Sequence, residues 1–367
     1  MNQTKLHQLE ELGQSIWLDF IRRSILENGE LQEYVEKGLR GVTSNPSIFD
    51  KAISDGEEYD QTITDLTSQG KSTHEIYEAL AVADIQKACD ILSPVFEQSH
   101  REDGYVSLEA NPHLAHDTQG TIEEAQRLWD LVDRPNLMIK VPGTPEGVPA
   151  IETLTSQGYN INVTLLFSRS QYDQISDAFI SGLEQFAADG GDPKDVSSVA
   201  SFFVSRIDVK IDRILGAMDE PDAKGLQGKI GIASAKMVYQ DYLEKFTGNR
   251  WKSLAEQGAR VQRVLYGSTS TKNPAYPDTL YADELIGEDT INTLPPQTLD
   301  AFLDHGTVSN TLTTDIEKVK QQLSQLSSLG INLENITKEL LDEGVVKFAN
   351  SFDELMVSIS KKKSTFG

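Results

Sequence analysis

The stretch "NLMIKVPGTPEG", residues 136–147, contains a short apolar run that ends in a Pro/Gly-rich turn. The run "LMIKVP" (137–142) predicts a β-strand, because strands that are covered on both faces are brief and apolar throughout. The amphipathic stretch "TIEEAQRLWDLV" (121–132) before it predicts a helix. This alternation of helix and buried strand is typical of an α/β protein.

Seven further runs are equally brief and apolar, and each predicts a strand. They are "SIWLDF" (15–20), "LRGVTSN" (39–45), "YVSLEA" (105–110), "NINVTLLF" (160–167), "SSVASFFV" (197–204), "RVLYGS" (263–268) and "TINTLP" (290–295). Eight strands separated mostly by helices predict a closed parallel (β/α)₈ barrel of the TIM type rather than an open doubly wound sheet. No G-x-G-x-x-G or Walker-type loop follows a strand, which disfavours nucleotide-binding folds.

Two helical regions extend this barrel. Residues 50–104 are too many for one loop after the second strand and predict a helical insertion, while residues 305–363 predict extra C-terminal helices, the last lying over an end of the barrel. The helical stretch at 168–188 has Ser170 as a candidate N-cap. We therefore expect residues 1–367 to form a single barrel domain.

The composition limits the possible partners. Lys and Arg total 33 against 57 Asp and Glu, and the formal net charge of −24 argues against nucleic acid and against an anionic membrane surface. Cys89 is the only cysteine, so no intramolecular disulfide can form. No apolar run approaches the length of a membrane span. We expect a cytoplasmic protein, and the sequence is compatible with a monomer and with a homo-oligomer.

Polar side chains recur where the predicted strands end, which is where barrel enzymes carry their catalytic groups. These residues are Asp19, Thr43, Ser44, Asn45, Glu109, Lys140, Asn162, Thr164, Ser201, Arg206, Ser268 and Lys272. A single polar residue at a strand end is ordinary. Seven consecutive strands that all end this way indicate an active site.

Lys140 is the most informative of these residues, because a lysine within an apolar strand is costly to desolvate. One interpretation is structural: the amine reaches water at the strand end, or pairs with Glu109 or Asp19. The other is catalytic, since a desolvated amine can attack a ketone as a neutral nucleophile and form a Schiff base. The iminium then stabilises a carbanion, which suits carbon–carbon bond chemistry in a ketose, with the two carboxylates as acid and base.

Four motifs in order resemble those of the transaldolase family. They are "GVTSNPSIF" (41–49), "LMIKVPGTPEG" (137–147), "NINVTLLFS" (160–168) and "SFFVSRID" (201–208). The chain length and "STSTKNPAYPDTLYADELI" (268–286) are most similar to the longer-chain subgroup of that family. The resemblance implies a (β/α)₈ barrel and transfer of a dihydroxyacetone unit from sedoheptulose 7-phosphate or fructose 6-phosphate to an aldose phosphate, in the pentose phosphate pathway.

The resemblance also implies a role for each site residue. Lys140 forms the imine, Asp19 is the base that drives C3–C4 cleavage, and Glu109 with Thr164 handles a catalytic water. The substrate-binding residues would be Asn45, Asn162 and Ser201 around the dihydroxyacetone unit, Phe203 beside it, and Arg206, Ser268 and Lys272 at the phosphate. The family uses sugar phosphates as substrates and needs no metal or organic cofactor.

Two positions depart from the family pattern. Lys272 stands where many relatives have arginine, and lysine lacks the planar fork of a guanidinium. Asn111 stands where the family often has an acidic residue. The pair His113 and His116 in "HLAH" has helical spacing, but without an obvious third ligand we expect no metal site there.

Two alternatives to a transaldolase remain from the sequence. One is a fructose 6-phosphate or dihydroxyacetone aldolase, a lyase on the same fold, in which water protonates and releases the enamine. Phe203 favours the transferase, because phenylalanine cannot hold a water by hydrogen bond whereas tyrosine or glutamine can. The other is a sugar-phosphate-binding protein without catalysis, which would not need Lys140, Glu109 and Asp19 together.

Overall fold

The computed structural model describes residues 3–366. Eight parallel strands pair in chain order, and the last pairs with the first, which closes the barrel. The strands are β1 (Gln14–Leu18), β2 (Leu39–Thr43), β3 (Tyr105–Glu109), β4 (Leu137–Pro142), β5 (Ile161–Leu166), β6 (Ser198–Phe203), β7 (Arg263–Gly267) and β8 (Thr290–Leu294). The predicted (β/α)₈ barrel is confirmed, and each predicted strand lies within two residues of its predicted ends.

Alternate side chains of each strand face the barrel interior. One layer of the interior is an apolar cluster formed by Trp17, Phe96, Tyr105, Met138, Val199, Leu265 and Ile291. The next inward-facing position along a strand lies two residues on, so Lys140 follows Met138 toward the C-terminal end. The alternation of the strand therefore places the lysine on top of a buried apolar layer.

Gly41 in β2 allows Trp17 to fill the barrel interior. A Cβ atom at position 41 would lie 2.5 Å from the indole ring, closer than any real contact. Trp17 is fully buried, and its Nε1 donates a hydrogen bond of 3.1 Å to Asp103. A glycine at this position is thus required for the packing beneath the site.

Seventeen α-helices surround the barrel within the described residues, together with short 3₁₀ turns at Pro112–Leu114 and Pro193–Asp195. The helices are α1 (Lys5–Glu11), α2 (Arg23–Glu27), α3 (Glu30–Glu36), α4 (Pro46–Asp55), α5 (Asp60–Ser68), α6 (Thr73–Gln98), α7 (Thr118–Val132), α8 (Gly147–Ser156), α9 (Arg169–Ala188), α10 (Ser205–Gly216), α11 (Pro221–Lys224), α12 (Ile230–Thr247), α13 (Asn249–Ala255), α14 (Leu280–Glu284), α15 (Pro296–His305), α16 (Ile316–Ser328) and α17 (Leu333–Phe366). Helices α4–α6 form the predicted insertion between β2 and β3, and α16–α17 are the predicted extra C-terminal helices.

The predicted N-cap of α9 was wrong by two residues. Ser168, not Ser170, accepts a hydrogen bond from the backbone N–H of Gln171, and the Gln171 side chain accepts from the backbone N–H of Ser168 in return. The letters S-R-S-Q at 168–171 fit this reciprocal capping box only when the first serine is the cap. Ser170 instead donates to Glu334 at the start of α17.

Helix α17 lies across the C-terminal end of the barrel, as the sequence predicts, and it packs against α4, α5, α6 and α10. Gly344 allows its close approach, because a Cβ atom there would lie 3.0 Å from the Leu165 side chain and 3.5 Å from Arg206. Leu165 belongs to an irregularity in the pairing of β5 with β6 and has a positive φ of 62°. Such bulges occur beside active sites, where they redirect a side chain.

The described helices include none that is both long enough and apolar enough to cross a lipid bilayer.

Candidate active site

A cavity of about 300 Å³ opens at the C-terminal ends of the strands. The family resemblance assigns a catalytic or substrate-binding role to eleven residues. Nine of them lie on the wall of this cavity, namely Asp19, Asn45, Lys140, Thr164, Ser201, Phe203, Arg206, Ser268 and Lys272. The other two predicted residues lie directly behind this wall, where Glu109 contacts Lys140 and Asn162 contacts Ser201. The fold thus brings all eleven together at one end of the barrel.

Lys140 lies on this wall with only 5% of its surface exposed. Its Nζ donates a hydrogen bond of 3.0 Å to the carbonyl oxygen of Ser44 and lies 3.3 Å from Oε2 of Glu109. Strand register accounts for the second contact, because Glu109 in β3 is the direct partner of Lys140 in β4. The phenyl ring of Phe348 lies over the amine, with its centroid 6.0 Å from Nζ.

Glu109 and Thr164 each carry a buried oxygen without a hydrogen-bond partner among the described residues, Oε2 and Oγ1 respectively. Burial raises the pKa of Glu109, and the positive charge of Lys140 partly opposes that rise. Thr164 follows Asn162 on the inward face of β5, and Pro142 of β4 is its partner across the ladder. Both oxygens are therefore available to hydrogen-bond a small polar molecule near the amine.

Asp19 follows β1 and receives a hydrogen bond of 2.8 Å from the hydroxyl of Thr43. The same hydroxyl lies 2.7 Å from that of Thr293, so the threonine is fixed between two strands. Burial raises the pKa of Asp19, while Lys140 and the Thr43 hydrogen bond act in the opposite direction. The site thus contains a second carboxyl group with a raised pKa, in surroundings different from those of Glu109.

Asn162 is fully buried and bonded at both ends of its amide. Its Nδ2 donates a hydrogen bond of 3.0 Å to the Ser107 hydroxyl, and its Oδ1 accepts a hydrogen bond of 2.7 Å from the Ser201 hydroxyl. The Ser201 side chain lies on the cavity wall. Because Asn162 in β5 is the ladder partner of Lys140 in β4, its amide holds Ser201 on the same cavity wall as the amine. Asn45, the other predicted amide, lies on the cavity wall and caps α4 by accepting a hydrogen bond of 3.1 Å from Ile48.

Arg206 and Lys272 form a basic end of the cavity. The Arg206 guanidinium lies against Phe203 and Phe348, with ring centroids 5.1 and 5.6 Å from Cζ, and pairs with no carboxylate of the described residues. Burial lowers the pKa of Arg206. Burial also lowers the pKa of Lys272, with further lowering from the charges of Lys347 and Arg206. Two such cations side by side form a suitable site for an anion.

Ser268 joins this basic end through an unusual backbone conformation. Its φ of 53° is left-handed, and its carbonyl oxygen accepts a hydrogen bond of 3.0 Å from the backbone N–H of Ser205, the first residue of α10. The two serine hydroxyls lie 2.9 Å apart. The residue after β7 is thereby held beside Ser205, the neighbour of Arg206.

Several residues on the cavity wall were missed by the sequence analysis. Among them are Lys51 in α4 and the adjacent pair Lys347 and Phe348 in α17. The sequence pattern shows polar residues at strand ends, whereas these three side chains come from helices. The one signal available was the prediction that the last helix covers an end of the barrel.

Asn111 and the two nearby histidines, His113 and His116, have local structural roles. Asn111 accepts a hydrogen bond of 3.0 Å from the backbone N–H of His113 and caps the 3₁₀ turn at Pro112–Leu114. His113 lies 2.8 Å from Asp353, while His116 lies 3.1 Å from Glu146. Across residues 3–366, no three His, Cys, Asp or Glu side chains are grouped so that they would hold a metal ion.

Comparisons of the chain with known proteins give consistent matches. The family described as Transaldolase/Fructose-6-phosphate aldolase matches residues 16–359. A transaldolase of Trichodesmium erythraeum is 47% identical over 371 residues, covering 97% of each chain. A transaldolase of Thiobacillus denitrificans is 47% identical over 360 residues, covering 98% of this chain and 100% of the relative. Transaldolase 2 of a Nostoc species is 46% identical and covers 97% of each chain.

Proposed function

Because this chain belongs to the transaldolase family, we propose that it transfers a dihydroxyacetone unit between sugar phosphates through an imine on Lys140. The donor is sedoheptulose 7-phosphate or fructose 6-phosphate, and the acceptor is glyceraldehyde 3-phosphate or erythrose 4-phosphate. The observation that carries the proposal is a buried amine, 3.3 Å from a buried carboxylate, in a cavity whose other end holds Arg206 and Lys272. We also infer that the protein acts in the cytoplasm. Its proposed substrates are charged sugar phosphates, which do not readily cross a membrane and therefore stay in the cytoplasm.

Imine formation is the first step. The neutral amine of Lys140 attacks the ketone carbon C2 of the donor, and the resulting carbinolamine loses water to give a protonated imine. Glu109 supplies and removes the protons of this step, with the catalytic water held between its Oε2 and the Oγ1 of Thr164. Burial supports this role, because a carboxyl group with a raised pKa exchanges protons more effectively near neutral pH.

Cleavage follows at the C3–C4 bond. Asp19 removes the proton of the C4 hydroxyl, the C3–C4 bond breaks, and its electron pair moves toward the imine nitrogen to form an enamine while the aldose phosphate leaves. When the acceptor arrives, C3 of the enamine bonds to its aldehyde carbon, and Asp19 returns its proton to the new hydroxyl. Water then hydrolyses the imine, which releases the product ketose and the free amine.

The remaining wall residues position the substrate. Asn45 and Ser201 face the part of the cavity next to Lys140 and bind hydroxyls of the dihydroxyacetone unit, and Asn162 assists by orienting Ser201. At the other end of the cavity, Arg206, Ser268 and Lys272 bind the phosphate. The Arg206 guanidinium can donate two parallel hydrogen bonds to phosphate oxygens, while the Lys272 ammonium contributes a positive point charge.

Phe203 supports transfer over simple release of dihydroxyacetone. Its ring lies on the cavity wall and packs edge-to-face on Phe167, with centroids 5.5 Å apart. An aromatic ring offers no hydrogen bond to a water that would protonate the enamine. The enamine therefore persists until an aldose phosphate arrives.

Coupled turnover assays with and without an acceptor test this function. With fructose 6-phosphate as donor, we expect rapid release of glyceraldehyde 3-phosphate only when erythrose 4-phosphate is present. An equal rate in its absence would identify a lyase. Lys140→Arg should abolish turnover in both assays, because a guanidinium keeps the charge but does not become a neutral nucleophile.

A further inference from the structure

Two cavities meet at the basic end of the active site. The inner cavity contains Lys140, and an outer cavity of about 570 Å³ continues from it along α10 and α17. Four residues line both cavities, namely Arg206, Ser268, Lys272 and Lys347. Three of these are the proposed phosphate-binding residues, and the fourth, Lys347, has no assigned role.

Packing on both sides of Lys347 fixes its position in α17. Gly344, one turn earlier, lies directly against Leu165 and Arg206. Phe348, the next residue, is buried and packs on Phe203 and on the Arg206 guanidinium. The backbone that carries Lys347 is therefore held against the phosphate site, although its own side chain is exposed at the cavity mouth.

The charges around Lys347 indicate an anionic ligand. Lys347 forms no ion pair with the described residues, and its positive charge lowers the pKa of Lys272. The protein as a whole has a formal net charge of −24, yet Arg206, Lys272 and Lys347 form no ion pair among the described residues. The carboxylate on the wall of the outer cavity, Glu343, pairs with Lys210 instead. Like charges held together repel one another, and a phosphate dianion between them relieves that repulsion.

We propose that Lys347 is a further phosphate-binding residue, through which α17 sets the preference of the site for phosphorylated substrates. The inference rests on the proposed function, because it assumes the same phosphate site. Lys272 provides a single ammonium group rather than a planar guanidinium, so Arg206, Lys272 and the Ser268 hydroxyl leave phosphate oxygens free for a third cation. Lys347 is the basic residue from α17 that faces this position.

Substitution of Lys347 tests the proposal, with Lys338→Gln as the matched control. Lys338 is also an exposed lysine of α17 but lines neither cavity, so its loss changes the net charge equally. The affinity for inorganic phosphate is measured by titration calorimetry, and the KM for fructose 6-phosphate by steady-state kinetics. Borohydride trapping of unphosphorylated dihydroxyacetone on Lys140 reports the imine site separately.

We expect Lys347→Gln to weaken phosphate binding and to raise the KM for fructose 6-phosphate by roughly ten-fold, with a much smaller effect on dihydroxyacetone trapping. Lys347→Arg should recover most of the lost affinity, and Lys338→Gln should match the unsubstituted protein. Unchanged phosphate affinity in Lys347→Gln, or an equal loss with dihydroxyacetone, would overturn the inference. Failure of the unsubstituted protein to form an imine on Lys140 would refute the proposed function instead, because the calorimetry does not depend on turnover.

Discussion

The Lys140 amine and the Glu109 carboxylate lie 3.3 Å apart on neighbouring strands, yet Oε2 of Glu109 forms no hydrogen bond with any described residue. Both side chains are almost completely buried, so each charge is costly unless it is compensated. An amine and a carboxyl group at this distance can exchange a proton directly or through one water. This relationship supports the assignment of imine formation and hydrolysis to Glu109.

The two carboxyl groups of the site, Glu109 and Asp19, should act in different steps. Glu109→Gln should slow imine formation and product release, because the amide cannot transfer protons, and general acid–base catalysis typically contributes about 10²–10⁴-fold. Asp19→Asn should still form the donor imine but should slow C3–C4 cleavage by a similar factor. Single-turnover experiments with rapid borohydride quenching measure both steps.

The contrast between these variants is the informative result. Trapped donor imine should accumulate in Asp19→Asn and stay low in Glu109→Gln. If both variants accumulated the same species at the same rates, the proposed division between the two carboxyl groups would be wrong.

Arg206 should supply most of the phosphate affinity. Its loss removes charge-assisted hydrogen bonds worth about 1.5–3 kcal/mol, which corresponds to roughly ten- to a hundred-fold in affinity. Arg206→Ala should raise the KM for phosphorylated donors and acceptors by this factor and affect unphosphorylated dihydroxyacetone far less. Lys272→Arg, which adds a planar fork, should preserve or improve phosphate binding.

Matched kinetics with phosphorylated and unphosphorylated substrates separate a binding role of Arg206 from a structural one. The same loss for both substrate types would show that Arg206 supports the packing of Phe203 and Phe348 rather than the phosphate.

Thr43 should control the pH dependence of cleavage. Its hydrogen bond of 2.8 Å favours the charged form of Asp19, so Thr43→Val should raise the pKa of that carboxyl group further. Cleavage needs Asp19 as a base, so the cleavage rate falls at low pH as this carboxyl group becomes protonated. In Thr43→Val this fall should begin at a higher pH, while the maximal rate at high pH should change little. Single-turnover rates across pH measure the shift, and a fall at the same pH as in the unsubstituted protein would exclude this control.

Asp208 should make stability depend on pH without direct involvement in catalysis. This buried carboxyl accepts hydrogen bonds from Tyr281 and Gly231, and burial raises its pKa from 3.8 to about 6. A carboxyl group that binds its proton more tightly in the folded protein stabilises the fold at low pH, and this contribution is lost as the pH rises through about 6. This difference in pKa between the folded and the unfolded protein corresponds to about 3 kcal/mol.

Urea unfolding of Asp208→Asn and of the unsubstituted protein measures this effect. The unfolding free energy of the unsubstituted protein, relative to the variant, should fall by up to about 3 kcal/mol between pH 4 and pH 7. A constant difference across that range would show that Asp208 keeps an ordinary pKa in the folded protein.

The barrel and its strand ends were predictable from the sequence because the relevant signals are local. An apolar run indicates a strand, alternation along it fixes which side chains face inward, and parallel pairing brings the strand ends together. The neighbouring positions of Glu109 and Lys140 follow directly from those rules. The individual roles of the site residues came instead from the family resemblance.

The parts that were missed depend on contacts between distant segments. Lys347 and Phe348 reach the cavity only because α17 crosses the barrel at one particular position, which the close approach of Gly344 to Leu165 permits. Helical periodicity gives the apolar face of such a helix but not the place where it docks. The cap of α9 was a different error, since the sequence at 168–171 fits a capping box that begins at Ser168, yet Ser170 was predicted as the cap.

The most direct test of the central claim is mass spectrometry of the protein after borohydride reduction in the presence of fructose 6-phosphate. We predict one reduced dihydroxyacetone adduct, on Lys140 within the peptide that contains residues 137–142, and no adduct in Lys140→Arg. An adduct on any other lysine, with residues 137–142 unmodified, would contradict the account.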